Sequence, residues 1–542
     1  MVDLYPKEAL PKINPVKIKG RGRRCLLSVE EPTKFEDANT EECWRRAMDE
    51  ELGSIQDNKT WELVDPPNDH KIIGLKWVYK VKKDAEGNLV KHKARLVAKG
   101  YVQEQGVDFE EVFAPVTRME SVRLVIALAA QESWRLHHMD VKSAFLNGEL
   151  KEEVYVKQPP GYIKKGEEHK VLKLHKALYG LCQAPRAWNI KLDRTLVSLG
   201  FEKSPLEHAM YKRGKGKDRL LVGIYVDDLL ITGADEEEIA RFKLQMKELF
   251  KMSDLGLLTY YLGIEVHQKP EGITLCQEAY AKKILESCSM EDCNPSHVPM
   301  EPRLKLSKRS QAPAVDATEY RSVVRKLRYL TNTRPDLTYS VGMVSRFMEA
   351  PTMEHWAAVE NILRYIKGTT NFGCVYLREK RKEMVELLGY SDSDLAGDID
   401  DRKSTSGVAY FLGGSIVSWL SQKQKVVALS SCEAEYIAAA TAAGQGVWLE
   451  RLLGDLTDKE PEGVVLYVDN KSMIALCKNP VHHDRSKHID IRYHYIRDCV
   501  EEGKIEVNYI CTDDQLADIL TKSLGRQKFT EMRGRIGVQA VK

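Results

Sequence analysis

Three aspartates stand where predicted strands end, and their spacing is suited to metal chemistry. Asp227 and Asp228 lie between two apolar β-rich runs in a turn without glycine, and Asp140 lies near the end of a predicted strand, Leu136–Val141. Neighbouring carboxylates at a hairpin tip are costly unless a cation neutralises them, although a surface turn, which favours Asp, is the alternative explanation. Three carboxylates on adjacent strands can hold two Mg²⁺ ions for in-line phosphoryl transfer from a nucleoside triphosphate.

A second set of acidic residues is spread over the C-terminal part of the chain. The four members come from separate predicted elements: Asp392, Glu435, Asp469 and Asp518. Each one alone is typical of a surface acid or a helix cap. Four carboxylates from separate elements can instead converge on two Mg²⁺ ions for hydrolysis of an RNA strand.

The elements that position the first set are predicted from hydrophobic periodicity and turn residues. A helix is predicted to begin near Asn39, with Glu42 three residues on as in a capping box. Trp44, Met48, Leu52 and Ile55 are predicted to share its apolar face. Leu75–Lys99 is predicted to be a β-hairpin. The cations of this hairpin suit either contact with phosphates or a solvated face; they are Lys76, Lys80, Lys82, Lys83, Lys91, Lys93, Arg95 and Lys99.

The second half of the chain predicts a linker, a helical segment and a mixed α/β domain. Residues 293–315 are rich in proline and form the predicted linker, and Asp316–Lys367 is predicted to be mainly helical. From about residue 385 the predicted order is three strands, a long helix, a strand, helices, a strand and a last helix over Asp513–Lys522. This order resembles that of a ribonuclease H fold, and the resemblance implies that the four acidic residues fall where that fold holds its metals.

Several motifs, in order along the chain, resemble those of copia-type LTR retrotransposon polymerases. Tyr225-Val226-Asp227-Asp228 resembles the YxDD motif of reverse transcriptases, and the block from Leu136 to Gly148 resembles the motif that carries the other aspartate. Further matching blocks are Arg95–Gly100, Leu178–Trp188 and Tyr261–Val266, which resemble the fingers strand, the nucleotide and template block and the primer-grip hairpin. The resemblance runs from about Glu31 to the C-terminus.

The resemblance implies an α+β and α/β multidomain protein. A basic, poorly ordered lead-in over residues 1–30 precedes the right-hand polymerase, with fingers, palm and thumb over residues 31–295. A linker and helical connection are expected over 296–384, and a ribonuclease H-like domain over 385–542. The two implied activities are RNA- and DNA-directed DNA synthesis and cleavage of the RNA strand in hybrids.

The resemblance also assigns roles in the polymerase site. Asp140 and Asp227 are the expected main metal ligands, with Asp228 beside them and the Val141 carbonyl as a further ligand. Phe145 is the expected steric gate against the ribose 2′-hydroxyl, with plain core packing as the alternative. The expected substrate-binding residues are Lys83, Arg95 and Lys99 for the triphosphate, together with Phe145, Tyr179, Gly180 and Gln183. Cys182 departs from the family pattern, because a basic residue is expected there.

In the C-terminal domain the resemblance extends to Arg402–Gly407 and makes Asp392, Glu435, Asp469 and Asp518 the catalytic metal ligands. Leu395 departs from the pattern, where Trp is expected. His488 matches a family block, with phosphate contact, packing and product release as its alternative roles. Glu433 and Glu435 lie two residues apart and cannot face the same metals. The family triplet favours Glu435 as the ligand and Glu433 as a helix cap.

Composition limits the remaining possibilities. Lys and Arg total 82 against 80 Asp and Glu, so a uniformly basic coat is excluded, whereas an enzyme with acidic sites in basic grooves is not. No apolar run is long enough to span a membrane, and the 11 cysteines form no CxxC pair or zinc-finger spacing.

The expected cofactor is Mg²⁺, two ions per active site, or Mn²⁺ in its place. The expected partners are an RNA template, a DNA primer, RNA–DNA hybrids and deoxynucleoside triphosphates, with no membrane and with a homodimer left open. The expected location is cytoplasmic, in virus-like particles or the cytosol, or nuclear. The alternative function is a truncated or domesticated relative that binds nucleic acid without activity, and a lone metal-dependent nuclease would leave Asp140 and the YVDD motif unexplained.

Overall fold

The structure is a computed structural model, and it describes residues 31–68, 70–83, 88–378, 386–460, 462–478 and 489–541. The predicted lead-in 1–30, the side chain of Lys83 and His488 lie outside the described residues. The chain divides into two compact units. Unit 1 comprises the described residues up to Glu110 together with Leu150–Cys182, and unit 2 comprises Glu111–Glu149 and the chain from Gln183 onward. The predicted domain borders near 295 and 384 stay predictions.

One helix of the described chain, in its C-terminal half, has 27 residues, and the others have 5 to 16. They are α1 (Phe35–Asn39), α2 (Glu42–Asp57), α3 (Met119–Gln131), α4 (Ala184–Ser198), α5 (Glu236–Leu249), α6 (Glu278–Ser287), α7 (Ala317–Leu330), α8 (Thr338–Val344), α9 (Met353–Lys367), α10 (Ser431–Thr457), α11 (Lys471–Lys478), α12 (Tyr495–Glu501) and α13 (Arg526–Arg535). Within the described residues, no helix is long and apolar enough to cross a membrane.

The strands occur in both units of the described chain. They are β1 (Trp61–Val64), β2 (Ile72–Ile73), β3 (Leu75–Lys83), β4 (Leu89–Ala98), β5 (Arg135–Val141), β6 (Glu149–Val156), β7 (Val171–Lys176), β8 (Glu202–Lys203), β9 (Met210–Arg213), β10 (Leu220–Tyr225), β11 (Asp228–Gly233), β12 (Met252–Leu257), β13 (Tyr260–Tyr261), β14 (Ile264–Lys269), β15 (Gly272–Cys276), β16 (Phe372–Leu377), β17 (Leu387–Ser393), β18 (Thr405–Leu412), β19 (Ser415–Lys423), β20 (Val464–Val468), β21 (Ile505–Tyr509) and β22 (Val538–Ala540).

Unit 1 contains the predicted basic hairpin, which is the antiparallel pair β3–β4, and a second sheet in the order β1-β7-β6-β2. Helix α2 packs against β4 and buries Trp44, Met48 and Ile55 of the predicted face, whereas Leu52 is half-buried. The helix begins at Glu42, however, and Asn39 ends the preceding helix α1 instead of capping α2.

One sheet of unit 2 carries the first set of aspartates. Its strand order is β12-β5-β11-β10-β9-β8, with β5, β10 and β11 paired antiparallel. Strands β10 and β11 match the two apolar runs that flank the predicted turn. Their alternate side chains pack against α4 and α5 in a core that includes Trp188, Phe242 and Met246. The sheet therefore presents the ends of β5, β10 and β11 side by side.

A second sheet of unit 2 has the order β13-β14-β15-β16-β22, so the last strand of the chain pairs with β16. Helices α7, α8 and α9 form the predicted helical segment. Arg334, whose side chain is 1% exposed, forms two hydrogen bonds with Asp336, of 2.9 and 2.8 Å, and the Tyr365 hydroxyl donates to the same carboxylate at 2.7 Å. A buried charge requires such a complete set of partners.

The third sheet of unit 2 has the order β19-β18-β17-β20-β21. Strands β17, β18 and β19 are antiparallel, and β17, β20 and β21 are parallel. Helix α10 packs against β17 and β18. The predicted order of three strands, long helix, strand, helices and strand is therefore present.

The end of this domain differs from the prediction. The segment predicted as a last helix forms two 3₁₀ turns, Thr512–Asp514 and Leu516–Leu520, and the α-helix follows at Arg526–Arg535. Gln515 has an extended backbone between the turns, and its side chain accepts a hydrogen bond from the Ala517 amide, so it interrupts helical pairing.

Buried cations join the parts of unit 2. The Arg123 guanidinium on α3 donates to the Val417 carbonyl on β19 at 2.8 Å and stacks over the Trp419 ring, 3.9 Å from its centroid. Arg219 donates to the Leu456 carbonyl at the end of α10 at 3.0 Å. The sheet that carries the first aspartates and the sheet of the C-terminal domain therefore share direct contacts within one unit.

Candidate metal centres

Three of the four predicted C-terminal acidic residues meet in one place. Asp392 lies on β17, Glu435 in the second turn of α10, and Asp469 directly after β20. One carboxylate oxygen from each lies within 4.8 Å of the other two. Asp392 and Glu435 are buried, and Asp469 is half-buried. The meeting follows from topology, because β17 and β20 are adjacent parallel strands and α10 packs across β17.

Asp518 lies beside this cluster and forms an ion pair with a lysine. The Lys522 ammonium is 2.8 Å from Asp518 Oδ1 and 3.9 Å from Asp392 Oδ2. The Thr521 hydroxyl also donates to Asp392 Oδ2. Burial, and then the charge of Asp392, raise the pKa of Asp518 to about 7, although Lys522 opposes the shift. Lys522 thus brings a single positive charge to a group of four carboxylates.

Glu435 carries the clearest sign that the cluster is suited to a cation. Burial, followed by the charges of Asp392 and Asp469, raises the pKa of Glu435 to about 9. Its Oε2 atom is buried and forms no hydrogen bond to any described residue. Hard carboxylate oxygens with uncompensated negative charge are the donor set that Mg²⁺ binds. The residues present therefore fit a divalent metal held by Asp392, Glu435 and Asp469, with Asp518 at the edge.

Glu433 has a different environment from Glu435. Its side chain accepts a hydrogen bond from the Leu429 amide at 2.8 Å, and its own amide donates to the Ser430 hydroxyl at 3.1 Å. Both contacts satisfy polar groups at the start of α10. Glu433 therefore faces the start of the helix, whereas Glu435, two positions later, faces the carboxylate cluster.

The YVDD motif forms the tip of the β10–β11 hairpin. Tyr225 pairs with Asp228, which leaves Val226 and Asp227 as the two turn residues. Val226 has φ of +60°, a conformation that is strained for a β-branched residue. The Val226 carbonyl accepts a hydrogen bond from the Trp188 indole at 2.6 Å, and the Asp227 carbonyl accepts one from the Val141 amide at 2.9 Å. These contacts hold the tip against the end of β5.

The three aspartates of this sheet are neighbours along the strand ends. Asp140 is the register partner of Asp228 across β5 and β11, and Asp227 precedes Asp228 in the turn. His138 Nε2 lies 2.9 Å from Asp228 Oδ1, so this carboxylate has an imidazole partner. In the C-terminal cluster, one oxygen from each of three carboxylates lies within 4.8 Å of the others. Among the described residues, the three aspartates of this sheet do not meet that distance.

Phe145 lies in a 3₁₀ turn, Ala144–Asn147, that follows β5. Ser143, the residue just before this turn, has a φ of +52°. The Phe145 ring is half-buried and packs against the core that contains Trp188 and Phe250. The structure therefore gives Phe145 a core contact and a partly open face, and both predicted roles stay open.

The predicted substrate residues fall in both units. In unit 1, the Arg95 guanidinium stacks on the Tyr179 ring, 4.1 Å from its centroid. Gly180 has φ of +91°, and a Cβ atom there would lie 2.3 Å from the Ala98 carbonyl oxygen. The fold itself therefore requires a glycine here, and the predicted contact of Gly180 with the incoming nucleotide stays a prediction. Lys99 lies against Gly74, since a Cβ built on Gly74 would meet the Lys99 side chain at 3.2 Å.

In unit 2, Gln183 is buried at the N-terminal end of α4. Cys182, which stands in place of the expected cation, belongs to unit 1, where its amide donates to the Gln103 side chain at 2.9 Å. Sequence reasoning did not single out Lys522, Thr521 or His138 as members of the two sites. The four-residue spacing of Asp518 and Lys522 was the available signal for the lysine.

Most of the chain is similar in sequence to known proteins. The family model for reverse transcriptase (RNA-dependent DNA polymerase) matches residues 58–302. The Pol polyprotein from transposon RE1 of Arabidopsis thaliana is 42% identical over 95% of this chain and 35% of its own length. The putative transposon Ty5-1 protein of Saccharomyces cerevisiae is 34% identical over 56% of this chain and 98% of its own length.

A solved structure of a foamy viral protease–reverse transcriptase in complex with an RNA/DNA hybrid matches 87% of this chain and 54% of its own, with 13% identity and a TM-score of 0.48. The chain belongs to the family of copia-type retrotransposon Pol polyproteins, and the reverse transcriptase family model covers part of it. The chain spans about a third of the length of the Pol polyproteins that it matches. The predicted fold class, a multidomain α+β and α/β polymerase followed by a ribonuclease H-like domain, is confirmed.

Proposed function

We propose that this chain is an RNA- and DNA-directed DNA polymerase that also cleaves the RNA strand of RNA–DNA hybrids. The observation that carries the proposal is the presence, on two separate sheets of a reverse transcriptase family member, of aspartates at adjoining strand ends. Each set supplies the hard oxygen donors that two-metal phosphoryl chemistry uses. The proposed cofactor is Mg²⁺, two ions per site, or Mn²⁺.

For DNA synthesis, Asp140 and Asp227 are the proposed metal ligands, with the Val141 carbonyl beside them. When bound, the metals would neutralise charge on the triphosphate and lower the pKa of the primer 3′-hydroxyl. The hydrogen bonds to Trp188 and Val141 fix the strained turn, so Asp227 is positioned before any substrate binds. His138 orients Asp228, which is the secondary carboxylate of the site.

For RNA hydrolysis, Asp392, Glu435 and Asp469 are the proposed ligands, with Asp518 as the fourth carboxylate. When bound, the metals would activate a water molecule and stabilise the leaving 3′-oxygen. Thr521 and Lys522 hold Asp392 and Asp518 in place, and Glu435 contributes an oxygen that accepts no competing hydrogen bond from the described residues. The burial of the cluster strengthens its interaction with cations.

The proposed substrates are an RNA or DNA template, a DNA primer, deoxynucleoside triphosphates and RNA–DNA hybrids. Arg95, Lys99 and Lys83 are proposed triphosphate contacts, together with Tyr179, Gly180 and Gln183 along the nucleotide site. Phe145 is the proposed gate against ribonucleotides. Such a protein would act in virus-like particles or the cytosol, or in the nucleus, as a monomer or a homodimer.

The experiment that tests the proposal is extension of a DNA primer on an RNA template with Mg²⁺, followed in the same reaction by the length of the labelled RNA. The proposal expects full extension together with shortened RNA. The alternative, a domesticated relative without activity, expects retention of the hybrid in a gel-shift assay with neither product. Hydrolysis of RNA without any extension would contradict the polymerase half and favour a lone nuclease.

A further inference from the structure

A second group of potential ligands lies outside both carboxylate sites, on the hairpin of β14 and β15. Glu265 and His267 are alternate residues of β14, and Cys276 ends β15 opposite Glu265. The carboxylate, imidazole and thiol each offer one ligand atom, and these three atoms all lie within 4.8 Å of one another. Cys276 is 1% exposed, whereas Glu265 and His267 are half-buried. The group is thus closed on the thiol side and reachable on the other.

The separations match those around a tetrahedral ion. The Cys276 sulfur lies 3.5 Å from His267 Nε2 and 3.7 Å from Glu265 Oε2. An ion bound about 2.3 Å from sulfur and about 2.0–2.1 Å from nitrogen or oxygen separates sulfur from either partner by about 3.5 Å. The three side chains could therefore bind an ion with little rearrangement, and they are at present held together by weak hydrogen bonds of the thiol.

The carboxylate is already oriented for this role. Glu265 Oε1 accepts a hydrogen bond from the Ala279 amide, in the first turn of α6, at 2.8 Å. This contact fixes the side chain and leaves Oε2 directed to the thiol. Metal sites characteristically hold their ligands by such outer contacts.

We propose that Glu265, His267 and Cys276 form a zinc site with a water molecule or other exogenous ligand in the fourth position. One thiolate, one imidazole and one carboxylate are ligands that Zn²⁺ accepts together, and thiolate selects against Mg²⁺. The site would tie β14 to β15 and, through Ala279, to α6. Glu265 and Cys276 are brought together by the pairing of β14 with β15. The spacing of these ligands along the sequence therefore does not resemble that of a zinc finger.

The test uses Co²⁺ as the probe, bound to the purified full chain after removal of metals and in the presence of excess Mg²⁺, which is added to fill the proposed carboxylate sites. A bound thiolate produces a charge-transfer band in the near ultraviolet, and competition with Zn²⁺ gives the zinc affinity. The parent is expected to show this band at one equivalent of Co²⁺. Cys276→Ser should abolish the band, and His267→Gln should weaken Co²⁺ binding by at least about tenfold.

Cys374→Ser is the matched control, because Cys374 is a buried cysteine on the adjacent strand β16, and its thiol donates to the Thr333 carbonyl at 3.3 Å. This variant should keep the band. His267→Gln keeps the test valid if Cys276→Ser fails to fold, since His267 is half-buried. A parent without the band, or a band that persists unchanged in the folded His267→Gln variant, would overturn the proposal.

Discussion

Glu435→Gln is expected to stabilise the metal-free protein while it abolishes RNA hydrolysis. The Glu435 carboxyl is 5% exposed and faces Asp392 and Asp469, and its pKa rises from 4.5 to about 9 as a result. The folded protein therefore holds the proton more tightly than the unfolded chain. The free energy of unfolding falls as the pH rises from about 4.5 towards about 9, because only the unfolded chain gains from ionisation in that range.

The size of the effect follows from the same values. An assay at about pH 7.5 lies about three pH units above the ordinary pKa, and each unit corresponds to about 1.4 kcal/mol, so the acid costs about 4 kcal/mol. Gln is neutral at every pH and removes this cost. At pH 5 the difference in the free energy of unfolding between Glu435→Gln and the parent should shrink to below about 1 kcal/mol. At that pH the side chain at position 435 is neutral in both folded proteins, and the unfolded parent gains little from ionisation.

Thermal unfolding in EDTA, followed by circular dichroism at pH 5 and pH 7.5, measures this difference. Glu433→Gln is the matched control, since it changes the same residue type one half-turn away. Glu433→Gln removes the negative charge of the carboxylate that accepts a hydrogen bond from the Leu429 amide. It should therefore lower the free energy of unfolding by about 0.3–1 kcal/mol at both pH values. Added Mg²⁺ should stabilise the parent and the Glu433 variant more than Glu435→Gln. Equal stability of Glu435→Gln and parent at pH 7.5 would refute the reasoning.

Three further predictions concern the polymerase site. Phe145→Ala should raise incorporation of ribonucleotides relative to deoxynucleotides, measured by single-nucleotide extension, and unchanged selectivity would return the ring to a purely structural role. Trp188→Phe removes the indole N–H that donates to the Val226 carbonyl at 2.6 Å. Primer extension should therefore fall while RNA hydrolysis persists, and thermal unfolding should show a free energy of unfolding lower by about 1–3 kcal/mol. Unchanged extension would contradict this prediction. His138→Ala should reduce extension less than Asp227→Asn does, because it orients only Asp228; an equal loss would make Asp228 a primary ligand.

The sequence predicted best where a local pattern and the tertiary fold agree. The apolar runs before and after Asp227 became β10 and β11, and the spacing of Trp44, Met48 and Ile55 became the buried face of α2. The different settings of Glu433 and Glu435 could not come from periodicity, since both continue apolar stripes. The family triplet was needed to choose between them.

Predictions were weaker where a single side chain decides the local structure. Asn39 has the type and spacing of a cap, yet the chain forms a separate short helix before α2, so the asparagine ends that helix. The segment after Cys511 has helical periodicity, but the side chain of Gln515 caps a 3₁₀ turn and donates to the Ser391 carbonyl at 2.9 Å. Such choices depend on partners that are distant in the sequence.

The contacts that complete each site also come from distant residues. Trp188 was predicted only as part of a motif, and its donation to Val226 joins residues 38 positions apart. Gly180 was predicted to contact the nucleotide, and its φ and its closeness to Ala98 add a role within unit 1 that the sequence did not indicate. Sequence spacing predicts that acidic residues converge, but it does not give their hydrogen-bond partners.

The central claim, that one chain holds two separate metal sites for two reactions, is tested most directly by a single assay on two variants. Primer extension and RNA shortening are measured together on one labelled hybrid with Mg²⁺, for Asp227→Asn and for Glu435→Gln. The account predicts that Asp227→Asn loses extension and keeps RNA cleavage, and that Glu435→Gln loses cleavage and keeps extension. Loss of both activities in either folded variant, or retention of extension by Asp227→Asn, would contradict it.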